Sequence, residues 1–502
     1  MDLLCREAYQ RLDLEKRAKL GQFSTPSSIA RQMASMFSKR TECVKILDAG
    51  AGVGSLSAAL ISEICQWDRK PKSINITAYE IEPKLIDYLY STFGICDAIC
   101  KHENIEFVSN IFGEDFIEDS ISLINGGFLP DKKNTRFNYV ILNPPYRKIH
   151  SKSQERRLLK RIGIETCNLY TAFLWLAIEL LEPGGELVAI TPRSFCNGLY
   201  FQHFREAFFK SMILRQVHIF ESRTKAFQKD AVLQENIIIH AIKSTERNPK
   251  VIISSSVGPD DGIIVYREVD HDQLVQPNDP STVIHIVTGE KACQIGQCMN
   301  GLDSSLDNLG LEVSTGRVVD FRAKKKNILR RIPTDKTVPL IYPAHFVEGF
   351  IKWPIQSLKK PEAIMKIPKA YDLLVPAGFY VLVKRFTSKE ESKRIVAAVF
   401  DPNRITADMI GFENHLNYYH MHNHGMPSEL AKGLAAFLNS TLVDQYFRQF
   451  SGHTQVNATD LRNLRYPNEK KLMSLGSKMD GTLMQQDDLD YLANKELGIS
   501  LD

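Results

Sequence analysis

Five short apolar runs punctuate the first half of the chain, at residues 44–47, 74–79, 105–108, 139–142 and 187–190. Each is too short for a helix, and each predicts a buried strand. Helix-like segments separate them. The clearest is "NLYTAFLWLAIELLEPGG" (168–185), in which Asn168 stands where a cap belongs and Pro183-Gly184-Gly185 marks the stop. Strand and helix in alternation predict an α/β domain with a doubly wound, mainly parallel sheet. Two further runs, 214–220 and 237–241, have no long helix between them and predict an antiparallel pair at the edge.

The pattern changes around "KSTERNPK" (243–250). Beyond it, strand-like stretches such as "STVIHIVT" and "FYVLVKRF" are set among irregular polar loops, and "SELAKGLAAFLNSTLVDQYFRQF" reads as helical. These features predict two domains, 1–247 and 248–502, the second of α+β type. A chain of 502 residues is long for one domain.

Composition adds little. With 43% hydrophobic and 24% charged residues the chain is of ordinary globular type, and a net charge of +4 names no partner. Nine cysteines without a Cys-x-x-Cys pair read as reduced thiols in a cytoplasmic protein, not as a disulfide frame or a metal site. The start, "MDLLCREAYQRLDLEKRAKL", has no secretory apolar region, and the longest apolar run is too short to span a bilayer.

"KILDAGAGVGSLS" (45–57) is a strand, a glycine-rich turn and a helix start. Its glycines allow positive φ and close approach of backbone to a ligand. A dinucleotide fingerprint would need glycine at 55, where serine stands; the pattern is instead Asp48, Gly50, Gly52 and Gly54. An acid at the strand end suits a cationic amine better than a pyrophosphate. Glu80, at the end of the next strand in "TAYEIEP", suits the two hydroxyls of a ribose. An amine and a ribose without phosphate describe S-adenosylmethionine.

With "DAGAGVG", "YEIEP" and "NPPY" in that order, and "GQFSTP" (21–26) ahead of them, the chain resembles the γ-type adenine-N6 DNA methyltransferases of type II restriction systems, of the PstI-like and BsuBI-like kind. The resemblance implies a Rossmann-like S-adenosylmethionine-dependent methyltransferase fold with a mixed sheet, followed by an α+β target-recognition domain. It implies cofactor contacts at Gln22, Thr25, Asp48, Gly50, Gly52, Gly54, Glu80, Ile81 and Asn143. An acidic residue expected after the third strand is absent at Ser109 and Asn110, and Asp115 takes that place. It further implies double-stranded DNA as substrate and a cognate restriction endonuclease as functional partner.

The stretch "NYVILNPPYRKIH" (138–150) would carry the chemistry. An adenine amine is a poor nucleophile because its lone pair is delocalised into the ring. Two acceptors at its hydrogens, the Asn143 side-chain oxygen and the Pro144 carbonyl, would favour a tetrahedral nitrogen and stabilise developing charge. The two prolines stiffen the loop. Tyr146 offers a stacking face to a base flipped out of the duplex, and Phe227 is the candidate for the opposite face. Arg147, Lys148, Lys152, Arg156 and Arg157 follow at once and are expected on DNA phosphates, as are Arg317 and Lys325 in "FRAKKKNILRR" and its approach. No metal is expected. The same loop also serves cytosine-N4 and protein glutamine-N5 methyltransferases, and an inactive DNA-specificity protein is a further alternative.

Overall fold

The fold is described from a computed structural model, which covers residues 7–8, 25–38, 40–125, 136–220, 235–246, 249–258, 263–277, 279, 281–355, 358–387, 391–452, 454–479, 482 and 484–498. Two compact units divide the chain, 1–288 and 289–502.

The first unit is built on one nine-stranded sheet. Its strands are β1 (Cys43–Ala49), β2 (Ser73–Tyr79), β3 (Glu106–Phe112), β4 (Phe137–Leu142), β5 (Leu181–Pro192), β6 (Met212–Phe220), β7 (Asn236–Lys243), β8 (Lys250–Ser256) and β9 (Val265–Asp270). The spatial order is β3-β2-β1-β4-β5-β7-β6-β8-β9. Strands β1 to β5 pair in parallel, while β7 runs antiparallel between β5 and β6. This is the Rossmann-like methyltransferase fold with a mixed sheet. Its helices include α1 (Ser27–Ser35), α2 (Ser55–Cys65), α3 (Pro83–His102), α4 (Phe116–Ile124), α5 (Gln154–Arg161) and α6 (Leu169–Leu180).

Both faces of the sheet are covered. All six residues of β4 are buried. Val140 and Leu142 join one apolar cluster with α4 and α6, while Tyr139 and Ile141 join a second with α1, α2 and α3. Burial on both sides explains why β4 reads as an unbroken apolar run.

The boundary expected near residue 247 falls inside this sheet. β8 pairs in parallel with β6, and β9 closes on β8, so the first unit runs on to residue 288. Strands β7 and β8 flank the polar stretch at 243–250 and belong to the same unit, so it does not link two domains. "STVIHIVT" (281–288) belongs to the first unit and is not a strand. Ile284 makes a single bridge to Val275, while Ile284 and Ile286 pack into the core of the first unit. The expected helix cap at Asn168 also differs, because its side chain makes no cap bond. Pro183 and Gly184 lie in the first, irregular part of β5.

The second unit contains two small sheets. One has six strands, in the spatial order Glu312–Thr315, Leu416–His420, Tyr380–Lys384, Ala397–Phe400, Phe350–Ile351 and Phe346–Val347. The other has five: Leu329–Arg330, Ala363–Met365, Thr337–Ile341, Met409–Phe412 and Leu374–Pro376. Helices Ser428–Leu438, Thr441–Phe450, Glu469–Ser477 and Gln486–Leu497 follow. Two of them touch closely: a Cβ at Gly433 would lie 1.8 Å from the Leu472 carbonyl oxygen, so only glycine fits.

Candidate active site

The chemistry-bearing stretches sit at the carboxyl ends of β1, β2 and β4. Adjacent parallel strands bring them to one edge of the sheet, where ligands of open α/β folds bind. After β1, Gly50, Gly52 and Gly54 adopt φ of 81°, 59° and 82°, a region that L side chains avoid. The N–H groups of Gly50 and Ala51 both donate to the Tyr79 carbonyl, at 2.8 and 2.9 Å, which ties the glycine loop to the end of β2. Gly54 also needs its missing side chain, since a Cβ there would come within 2.7 Å of Leu89 on α3.

Glu80 is buried, and its carboxylate is pinned by backbone. Oε2 accepts from the Gly52 N–H at 2.9 Å and Oε1 from the Glu82 N–H at 2.8 Å. Backbone N–H groups thus orient both oxygens, an arrangement suited to accepting hydroxyls. Burial raises its pKa. Ile81 follows with 49% of its surface exposed, an apolar face beside the acid.

Asp48 is fully buried and accepts from Ser57 Oγ at 2.5 Å. Its Oδ1 has no hydrogen-bond partner among the described residues. Burial pushes its pKa up to about 7, with Ser57 opposing and Glu80 adding to the rise. A buried carboxyl with one oxygen unpartnered among the described residues suits a cationic ligand group, which would favour its charged form.

Asn143 lies one residue beyond β4, where its side-chain N–H donates to Thr25 Oγ1 at 2.9 Å. Thr25 precedes α1 and is buried. The bond spans 118 positions and joins the "GQFSTP" stretch to the "NPPY" loop. Gly50 lies beneath the same loop: a Cβ there would be 4.0 Å from the Asn143 carbonyl oxygen and 4.0 Å from Pro145 Cδ. The glycine turn and the Asn143–Tyr146 loop are therefore neighbours. Tyr146 is fastened by its hydroxyl, which donates to the Ile190 carbonyl at 3.2 Å. Its ring stands edge-on to Tyr170, with centroids 6.2 Å apart and planes at 84°. Burial raises its pKa.

Asp115 stands three residues past β3, which runs to Phe112 and is longer than the apolar pattern predicts. Ser109 and Asn110 thus lie inside the strand, and Asp115 is an acidic residue just beyond its end. There it caps α4: Oδ1 accepts from the N–H groups of Ile117 at 2.8 Å and Glu118 at 3.3 Å, while Oδ2 lies outside that cap. Gln22 and Phe227 fall outside the described residues.

The basic stretch after Tyr146 separates into two kinds of residue. Arg147 is half-buried and pairs with Glu155 through Nη2, 3.2 Å from Oε1. Its backbone carbonyl accepts from the Leu169 N–H, and the Ile149 N–H donates to the Cys167 carbonyl, so this loop is stitched to the start of α6. Lys148, Lys152 and Arg157 are exposed, and Arg156 is half-buried. In the second unit, Lys325 is exposed on a short helix, Asp320–Lys325, and Arg317 hydrogen-bonds the side chain of Asn423.

Three features at this edge have no signal in the sequence pattern. Ser57 reaches Asp48 from the first turn of α2. Arg193 Nη1 lies 2.7 Å from Glu235 Oε1, both side chains buried, clamping the ends of β5 and β7. Asn236, opposite Pro192 in the pairing of those strands, is buried with neither side-chain polar atom hydrogen-bonded among the described residues. Among the described residues no group of histidine, cysteine, aspartate and glutamate could hold a metal, and no helix is long and apolar enough to cross a membrane.

Fold and site together define a methyltransferase of the restriction-modification kind. Residues 54–227 match the family model described as Eco57I restriction-modification methylase. The chain belongs to the type II DNA methyltransferases that include M.PstI and M.BsuBI. It is 43% identical to the type II methyltransferase M.PstI of Providencia stuartii over 498 residues, covering 99% of this chain and 96% of that one. It is 45% identical to M.BsuBI of Bacillus subtilis over 467 residues, covering 92% and 90%. Among solved structures, the type IIL restriction-modification enzyme MmeI, determined in complex with DNA, aligns with a TM-score of 0.54 at 11% identity, covering 98% of this chain and 75% of that one. That likeness is one of fold.

Proposed function

We propose that this DNA methyltransferase transfers a methyl group from S-adenosylmethionine to N6 of an adenine flipped out of a specific duplex site. The observation that carries the reading is the Asn143–Thr25 bond at the mouth of β4, above the glycine turn. Holding the amide nitrogen fixes which end of Asn143 serves as acceptor. Its oxygen and the Pro144 carbonyl then take the two hydrogens of the target amine. As N6 gains the methyl group it acquires positive charge, which these two oxygens stabilise before one proton leaves to water. Tyr146, fastened at its hydroxyl, supplies a ring face to the flipped base, and Phe227 is the candidate for the other.

The chain's own residues fit the cofactor. S-adenosylmethionine brings a sulfonium whose methyl group is already activated, so no metal or strong base is needed. Asp48 would receive its ammonium group, Glu80 its ribose hydroxyls, Ile81 a face of its adenine and Asp115 the adenine amino group. Gln22 and the glycine turn would complete the contacts. Exposed Lys148, Lys152 and Arg157, with Arg156, would meet phosphates. The second unit would select the site, and a cognate restriction endonuclease would be the functional counterpart in the cytoplasm.

Purified protein, labelled cofactor and mixed duplex DNA test the reading by nucleoside analysis. N6-methyladenine is the expected product. N4-methylcytosine, or label found only in added peptide, would favour the alternatives.

A further inference from the structure

The second unit contains a groove of about 590 Å³ whose lining includes Tyr342, Leu358, Lys359, Lys360, Phe386 and His415. Its chemistry is one-sided: two exposed lysines and three rings, with no carboxylate among the described lining residues. Phe386 leaves 43% of its surface in solvent. Its ring centroid lies 4.9 Å from the His415 imidazole, and the Arg385 guanidinium lies 5.8 Å from the Phe386 ring. Lys360 Nζ sits 4.7 Å from the Tyr342 ring.

His415 is held from behind. Its backbone N–H donates to Glu413 Oε2 at 2.9 Å, and its Nδ1 lies 2.5 Å from Glu413 Oε1. The Glu413 side chain is wholly buried, while that of His415 is 45% exposed. A carboxylate on Nδ1 fixes the tautomer and leaves Nε2 as the polar atom the ring can offer to a ligand. Backbone pairing adds a neighbour. Phe386 bridges Gln455, the Thr387 N–H donates to the Thr454 carbonyl at 3.0 Å, and the Val456 N–H donates to the Arg385 carbonyl at 2.8 Å. Those residues belong to "SGHTQVNATD", a stretch rich in side chains suited to base edges.

We infer that this groove is where the second unit reads DNA. Lys359 and Lys360 meet phosphates of one strand, and His415 and Phe386 meet base edges, the imidazole by a hydrogen bond and the ring by apolar contact. The inference rests on the proposed function, in which duplex DNA is the substrate. Two cations without an opposing carboxylate call for a polyanion, and the flat exposed ring and oriented imidazole call for bases. The other basic cluster, Asp320–Lys325, offers charge on a six-residue helix.

The test is binding by the full-length protein to two duplexes across a salt series. One carries the methylated site mapped by single-molecule sequencing, and the other is scrambled. His415→Ala and Phe386→Leu should each reduce discrimination between the duplexes about tenfold while leaving affinity for the scrambled one unchanged. The double change Lys359→Ala and Lys360→Ala should weaken both complexes and flatten the salt slope by about two. His415→Asn serves if the alanine variant melts below wild type. If folded variants keep wild-type discrimination and slope while the wild type discriminates, the groove assignment is overturned. If the wild type binds neither duplex, the proposed function falls, and the assignment with it.

Discussion

The two units place their candidate functional side chains by different means. In the first, four groups assigned to the proposed chemistry lie within a few residues of the end of a parallel strand: Asp48 at β1, Glu80 after β2, Asp115 after β3 and Asn143 after β4. Each strand must turn back through a helix, so each carboxyl end gathers a short contiguous signature. In the second, the groove around Phe386 and His415 draws on segments near 342, 359, 386 and 415, none of which forms a recognisable stretch alone. A parallel sheet makes its site readable locally, whereas short strands paired at long range do not.

The sharpest way to break this contrast is at Asn143. Asn143→Ala should lower turnover about a hundredfold or more, with cofactor and duplex affinity nearly unchanged, because the amide acts on charge that develops only in the transition state. Equal losses in binding and turnover would make Asn143 a structural residue. Single-turnover kinetics beside equilibrium binding separates the two.

Asp48 comes next. Its folded-state pKa, raised by burial to about 7, lies above the ordinary carboxyl value, so below that pH the protonated form is favoured in the unliganded protein. A group raised in this way binds more protons folded than unfolded between about pH 4 and 7, so stability falls as pH rises through that window. Cofactor binding needs the opposite form, so affinity should fall as pH drops below about 7. Asp48→Asn should weaken cofactor binding about tenfold at pH 8, flatten that pH dependence, and stabilise the unliganded protein by on the order of 2 kcal/mol. Calorimetric titration and thermal melts across pH check all three.

Thr25→Val keeps the shape of the side chain and removes the hydroxyl that accepts from Asn143. Turnover should fall about tenfold, less than for Asn143→Ala, since the amide remains but loses its orientation. A loss as large as that of Asn143→Ala would give Thr25 a direct role. The smallest effect belongs to the basic cluster Asp320–Lys325 in the second unit. Lys325→Ala should weaken binding to all duplexes alike and lower the salt slope by about one, without changing which site is methylated.

Much of the first unit is legible without coordinates. Strands β1, β2, β4 and β5, the antiparallel β6–β7 pairing and helix α6 follow from apolar runs and their spacing, but the pair does not lie at the expected edge, because β8 and β9 extend the sheet beyond it. β3 is longer than its pattern predicts because it is the edge strand: Ser109 and Asn110 are exposed, and the Asn110 side chain hydrogen-bonds Asn75 on β2. β8 and β9 are missed for a related reason. β9 is largely exposed, so no alternation marks it, and the polar turn before β8 resembles a linker. Ile284 and Ile286 show the converse error, since buried apolar residues need not lie in a strand. At the site, Asp48, Glu80 and Asn143 can be located from short stretches. The Ser57 and Thr25 hydrogen bonds and the Arg193–Glu235 clamp cannot, because each depends on how separate elements pack.

The central claim is that chemistry resides in the first unit and site choice in the second. A chimera tests it most directly, with residues 289–502 of this chain joined to the catalytic half of a type II methyltransferase that modifies a different sequence. The junction lies at 289 because β8 and β9 belong to the first sheet. Single-molecule sequencing of host DNA then maps the methylated bases. The account predicts methylation at the site chosen by this chain. Methylation that stays at the catalytic half's original site would contradict it.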